Sequence, residues 1–345
     1  MLYVTTRSNA EPCTAQRALR ENRGADGGLY VPFRPLRFSR EEIEALPGKS
    51  FNSNVAEVLN RLFGVGLTGY DVDFCIGRRS VRLEKLGQRV MLGECWHNLE
   101  SDHSRTVRNL TALLTGDKEA APGDWAHVGI RIAVLFGIFG ELMRGGMAGP
   151  AKRVDVSLVS GDFAWPMSAW YARQWGLSIG NIVCCCNENG NLWDLCCHGQ
   201  LRTDGVAVKT NTPEADIVVP AGLERLIYAV GGVKEVEKYL AAVRRGGSYF
   251  AEEHTLAQLR KGLYATVNSQ RRVLDTIPSV YGTHGILLSP YAALAYAGLQ
   301  DHRARTGESR LALVLEEKSP EKDLDTVAGA LGITAAELKS HLDRN

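Results

Sequence analysis

Val154 to Trp165 reads VDVSLVSGDFAW, and this stretch decides the fold. A short run rich in β-branched and apolar residues ends at Val159, a Ser-Gly-Asp turn follows, and a helical pattern carrying Pro166 in its first turn begins beyond it. Ile182 to Cys186 and Asp216 to Val219 are similar runs followed by polar or Gly/Pro turns, and the second leads into the helical pattern Ala221 to Val230. Leu311 to Leu315 is a fourth strand candidate. Strand, loop and helix in alternation predict an α/β fold around one mainly parallel sheet. Ligands of such sheets gather outside the carboxyl ends of the strands, which directs attention to Ser160–Pro166, Asn187–Asn191, Pro220–Gly222 and Glu316–Lys322.

Working outward, Val128 to Met143 is almost wholly apolar, but Arg131 and Glu141 interrupt it and a bilayer span needs about 20 apolar residues. It predicts a buried helix. Ser39 to Glu42 and Thr334 to Glu337 are capping boxes, flanked by the hydrophobic pairs Phe38/Ile43 and Ile333/Leu338, and predict helix starts near Arg40 and near the end of the chain. At 345 residues the chain has room for about two domains at roughly 150 residues each. Its 40 basic and 39 acidic residues leave no surplus charge for a phosphate backbone, so neither nucleic acid nor membrane is an expected partner. The opening MLYVTTRSNAEPCTAQ has no apolar core of signal-peptide length, and the cytoplasm is the expected location.

Several segments, in order, resemble threonine synthase, a fold type II pyridoxal-phosphate enzyme that converts phosphohomoserine to threonine. Tyr3 to Arg7 (YVTTR) is similar to the family's Y-x-S-T-R-G, and Asp26 to Pro32 matches D-G-G-L-Y-V-P without a change. Ser160 to Phe163 resembles S-G-N-F-G-[ND], Asn187 to Asn189 resembles T-N-x-N-D, and Pro213 to Tyr228 resembles S-P-A-M-D-I-x-x-P-S-N-x-E-R-L-L. Ser289 to Ala295 resembles D-P-H-T-A-V-A, and Val314 to Asp323 lines up with V-L-A-T-A-H-P-A-K-F. The resemblance implies the fold type II architecture, divided as an N-terminal region (1–90), a remnant of the small cofactor subdomain (91–124) and a large α/β domain (125–345).

The chemistry implied by the family lacks its parts here. Catalysis of this class needs a lysine amine to hold the cofactor. The family's L-F-H-G-P-T-x-A-F-K-D falls on Glu94 to Arg105, where Trp96-His97 matches F-H and Ser104 stands at the lysine position. A hydroxyl forms no aldimine, Arg105 stays protonated, and His103 passes protons but cannot anchor the group. In the phosphate loop, now Gly161, Asp162, Phe163, Ala164 and Trp165, Asp162 sets a carboxylate where an anion would sit. Asp162 is expected to cap the following helix and Trp165 to fill the vacated pocket. The family's threonine and histidine near the pyridine align with Glu317 and Ser319, and Glu317 is expected to belong to a solvated Glu316-Glu317-Lys318 cluster. Only ten residues, Thr115 to Asp124, join two helical stretches where the family has a subdomain, and one βαβ unit already needs about 30.

Cys184-Cys-Cys186 and Cys196-Cys197-His198 carry zinc-type ligands, but alternation along a strand turns Cys185 away from Cys184 and Cys186. Buried thiols are expected, with no metal; a reactive-thiol role assisted by His198 has no third orienting group to support it. Two readings follow. The first is a threonine synthase-like protein without catalysis or bound cofactor, serving as a binding or regulatory subunit, as a homodimer or with a related active enzyme. The second keeps pyridoxal phosphate through a displaced lysine such as Lys85 or Lys118, or places a new activity in the remodelled cleft.

Overall fold

Strands and helices alternate through the middle of the chain, and three of the four predicted strands form. The computed structural model describes every residue except 9–10, 22, 79–80, 96–103, 117–123 and 344–345, and for Ser104 it describes the backbone. The strands are β1 Leu2–Thr5, β2 Cys13–Thr14, β3 Tyr30–Pro32, β4 Arg82–Lys85, β5 Val90–Glu94, β6 Val154–Val159, β7 Ile179–Cys186, β8 Gln200–Arg202, β9 Ser248–Phe250, β10 Leu263–Val267 and β11 Ala312–Glu316. The helices are α1 Ala15–Arg20, α2 Arg40–Glu44, α3 Phe51–Phe63, α4 Gly69–Ile76, α5 Ser104–Thr115, α6 Trp125–Arg144, α7 Ala164–Gln174, α8 Asn191–His198, α9 Leu223–Arg245, α10 Glu253–Leu259, α11 Gln270–His284, α12 Pro290–Thr306, α13 Leu324–Leu331 and α14 Ala335–Leu342.

Six strands form the central sheet in the order β10-β7-β6-β11-β5-β4. Every neighbouring pair is parallel except β4 with β5. The carboxyl ends of β6, β7, β10, β11 and β5 therefore share one edge, the edge outside which ligands of such sheets gather. Alternation sorts the side chains as expected: Cys184 and Cys186 join one apolar core with α6 and α7, while Cys185 joins the other with α12.

Asp216 to Val219 departs from the prediction: it is not a strand. It follows a 3₁₀ turn at Pro213–Ala215, and its Asp216 carboxylate accepts from Asn187 Nδ2 (2.7 Å), Thr210 N (2.8 Å) and Thr210 Oγ1 (2.7 Å). A side chain so engaged ties the segment across the end of β7 as a loop, and the apolar Ile-Val-Val run is only half-buried. Strands β10, β5 and β4, which the periodicity did not single out, complete the sheet.

Helix α6 is the one helix among the described residues long and apolar enough to cross a membrane, and 83% of its most apolar window lies buried inside the fold. Glycines let neighbours approach it: a Cβ on Gly129 would lie 2.6 Å from Phe63, and one on Gly137 2.6 Å from Phe51. Both capping boxes form, at Ser39/Glu42 and Thr334/Glu337. The N-terminal strands β2-β1-β3 are locked to the start of α9 by a charged clamp. Thr6 Oγ1 donates to Glu224, and Arg7 reaches the same carboxylate through Nε (3.1 Å) and Nη2 (3.0 Å). Arg225, fully buried, donates from Nε to the Tyr30 carbonyl (2.9 Å). The Thr6-Arg7 and Glu224-Arg225 motifs, 217 residues apart, thus meet as structure.

Candidate functional site: the cleft at the carboxyl ends of the sheet

The turn after β6 is tight and its donors are used internally. Gly161 (φ 41°) and Phe163 (φ 74°) take left-handed backbone, and Phe163 is the one non-glycine residue with positive φ among the described residues. The Phe163 N–H donates to the Ser160 carbonyl (2.8 Å), and the Ala164 N–H donates to Asp162 Oδ1 (2.8 Å). Asp162 was expected to be the N-cap of α7; the N-cap is Phe163, and Asp162 acts from one position earlier on the first N–H of the helix. Its own carbonyl accepts from Gly222 N (2.9 Å), which draws Pro220–Gly222 onto the loop. The two pack so closely that a Cβ on Gly222 would lie 3.0 Å from that carbonyl oxygen.

Trp165, in the first turn of α7, is 4% exposed. Its Nε1–H donates to Glu317 Oε1. Arg131, from the middle of α6, brings Nη2 to the same oxygen (3.4 Å) and its guanidinium carbon to 5.4 Å from the Trp165 ring. Arg131 Nη1 also lies 3.4 Å from the His127 carbonyl, while its Nε, buried, has no hydrogen-bond partner among the described residues. Glu317, its side chain 32% exposed, is thus tied to Trp165 and Arg131 and not grouped with its neighbours in sequence. Glu316 turns inward from β11, is fully buried and accepts from Ser289 N (2.8 Å), and Lys318 turns to Glu214 and lies over the Tyr291 ring at 5.2 Å. Three consecutive charged residues serve three different places.

Burial pushes the Glu317 carboxyl above its ordinary value, Asp162 adds to the rise, and Arg131 and the Trp165 N–H oppose it. Burial likewise raises the Cys95 thiol, just beyond the end of β5, and holds Cys186 up at about 12. Neither thiol is a nucleophile near neutral pH. Cys184, Cys185 and Cys196 are also buried free thiols, Cys197 is exposed, and no group of three or more His, Cys, Asp or Glu among the described residues could hold a metal ion.

Of the loop Gly161, Asp162, Phe163, Ala164 and Trp165, it is Trp165 that bonds to Glu317, and Asp162 acts on it electrostatically. Ser104 begins α5. Trp96, His97, His103 and Lys118 lie outside the described residues. Ser319 is buried and its Oγ accepts from Glu321 N (3.2 Å). Lys85 lies opposite Met91, whereas Arg82 lies opposite Glu94, so the antiparallel edge strand carries Lys85 away from the carboxyl end of β5. Arg131 is the residue the sequence reading missed. A lone guanidinium inside an apolar helix was its signal, since burial of that charge demands a partner.

Residues 2–78 match the family model described as Threonine synthase N terminus. Threonine synthase of Pseudomonas aeruginosa is 25% identical over 182 residues, which cover 52% of this chain and 38% of that protein. Human threonine synthase-like 1 is 27% identical over 177 residues, covering 50% of this chain and 24% of that protein. The matched stretch is thus well under half the length of either relative. Among solved structures, PLP-bound threonine synthase from Brucella melitensis superposes with a TM-score of 0.86 at 19% identity, covering 96% of this chain and 92% of that one. Threonine synthase from Escherichia coli gives 0.72 at 14% identity, covering 97% and 92%. The chain thus carries an N-terminal region that matches the threonine synthase family model, is similar over about half its length to threonine synthases and threonine synthase-like 1, and shares their fold.

Proposed function

We propose that this chain is a threonine synthase-like protein that forms no internal aldimine with pyridoxal phosphate and acts as a binding or regulatory subunit, paired with a second copy or with a related active enzyme. The observation that carries the reading is the buried Trp165 indole, held in the cleft by Glu317 and Arg131. The residues of the cleft do not fit the cofactor that the family implies. An anion needs free N–H groups at the start of a helix, and the Ala164 N–H is already donated to Asp162, whose carboxylate would face the phosphate. A planar ring needs open space, and the loop beside it carries the bulk of a buried Trp165. An aldimine needs a lysine amine, and the chain has a serine at position 104.

A displaced lysine finds no support in the register of β4, which points Lys85 to the wrong end of the sheet, and the Lys318 amine is engaged by Glu214. The test is phosphate release from phosphohomoserine with added pyridoxal phosphate. No release above the protein-free blank is expected; release that scales with protein concentration overturns the reading.

A further inference from the structure

A second pocket, away from the cleft loops, has the opposite character. Its volume is about 490 Å³, within the usual range for small-molecule sites. One wall is the segment after β3 that carries Phe33, and Phe38 N anchors that segment to the Trp175 carbonyl at 2.9 Å. A second wall is α7, with Trp170, Tyr171 and Trp175 at its end. The rings are fixed: Tyr171 sits 5.5 Å from Trp125 and 5.4 Å from Trp175, centroid to centroid, and Arg173 covers Trp170 at 5.0 Å. The third wall is the first half of α9, through Tyr228 and Ala229, and the helix breaks just beyond them at Gly232 (φ 72°, ψ −171°), a conformation open only to glycine.

Polar groups line this aromatic pocket, with Arg37, Gln174 and His254 exposed at its rim. The side chains of Arg37, Tyr171, Gln174, His254 and Gln258 line it, and none of them makes a hydrogen bond to another described residue. His254 and Gln258 are one turn apart on α10, so both reach the same side. No aspartate or glutamate lines the pocket. Fixed rings select a flat, apolar partner, and a guanidinium, an imidazole, two amides and a phenol with no carboxylate among them select negative charge.

We propose that this pocket binds a planar aromatic carboxylate. The rings stack on its π-face and Arg37 meets the carboxylate at the rim. The inference is independent of the cofactor reading: a pyridoxyl adduct would overturn that reading and leave this pocket as it is.

The experiment is calorimetric titration of the whole chain with 2-naphthoate, beside its neutral isostere 2-naphthylmethanol. Saturable one-to-one binding of the carboxylate is expected, with the alcohol about tenfold weaker for want of a charge-assisted hydrogen bond. Arg37→Ala should weaken the carboxylate about tenfold toward the alcohol, and Ala229→Trp, at an exposed rim position, should abolish binding by filling the pocket. No saturable heat, equal affinity for alcohol and carboxylate, or binding that survives Ala229→Trp overturns the proposal. The comparison of the two compounds needs no variant, so it decides the charge requirement even if a substitution disturbs folding.

Discussion

Trp165 carries the remodelled cleft at the residue scale. Its indole is 4% exposed and its N–H is satisfied by Glu317, so Trp165→Ala removes aromatic packing and leaves a carboxylate and a guanidinium facing a hole. A loss of about 3 to 5 kcal/mol in denaturant unfolding is expected; a variant within about 0.5 kcal/mol of the parent would mean that the ring lines open space instead. Glu317 gives a pH test. Burial raises its carboxyl above the unfolded value of about 4.3, so the folded chain holds that proton more tightly than the unfolded one. Its contribution to stability therefore falls as pH rises through the interval above that value. Glu317→Gln abolishes the titration, and the stability of the parent relative to this variant should decline from pH 4 toward neutrality. A difference that stays flat or rises contradicts the assignment. Trp165 was legible because a large ring stood where the family pattern has a small residue. Glu317 was misjudged because three adjacent charges look like one cluster in a sequence, whereas the chain leaving β11 sends Glu316 inward and Lys318 to Glu214.

Two elements remote in sequence meet at the Glu224 clamp. Glu224 is 5% exposed and takes Thr6 and both contacts from Arg7, tying β1 to the start of α9. Glu224→Ala leaves a buried hydroxyl and a guanidinium without that carboxylate, and should lower unfolding free energy by about 3 kcal/mol. A melt unchanged from the parent would show that the strands hold α9 without it. Strands β6, β7 and β11 were readable as β-branched runs between turn signals, and the capping boxes marked the starts of α2 and α14. Asp216–Val219 had the same apolar composition, yet the carboxylate at its head bonds to Asn187 and Thr210 more profitably than its backbone could pair in a sheet. Periodicity sees side-chain type; it does not see which polar partner folds back from 29 residues away. The kink at Gly232 escaped for a related reason, because helical pattern resumes beyond it and α9 runs on to Arg245.

Across the whole molecule, a fold shared with threonine synthase surrounds loops whose residues are this chain's own. The fold superposes on threonine synthase from Brucella melitensis with a TM-score of 0.86. Inside the cleft the polar groups answer one another: Asp162 takes the helix N–H, Glu317 takes the indole N–H, and Arg131 takes Glu317. Of these groups only the buried Arg131 Nε lacks a partner among the described residues, and a ligand would have to displace the other contacts to bind. The central claim is that no lysine of this chain holds pyridoxal phosphate. The direct measurement is borohydride reduction of the intact protein incubated with pyridoxal phosphate, followed by peptide mass mapping at stoichiometric cofactor. The account predicts no lysine modified beyond the level seen in the urea-unfolded chain; a single pyridoxyl-lysine formed near one equivalent in the folded chain, at Lys85, Lys118 or Lys318, would contradict it.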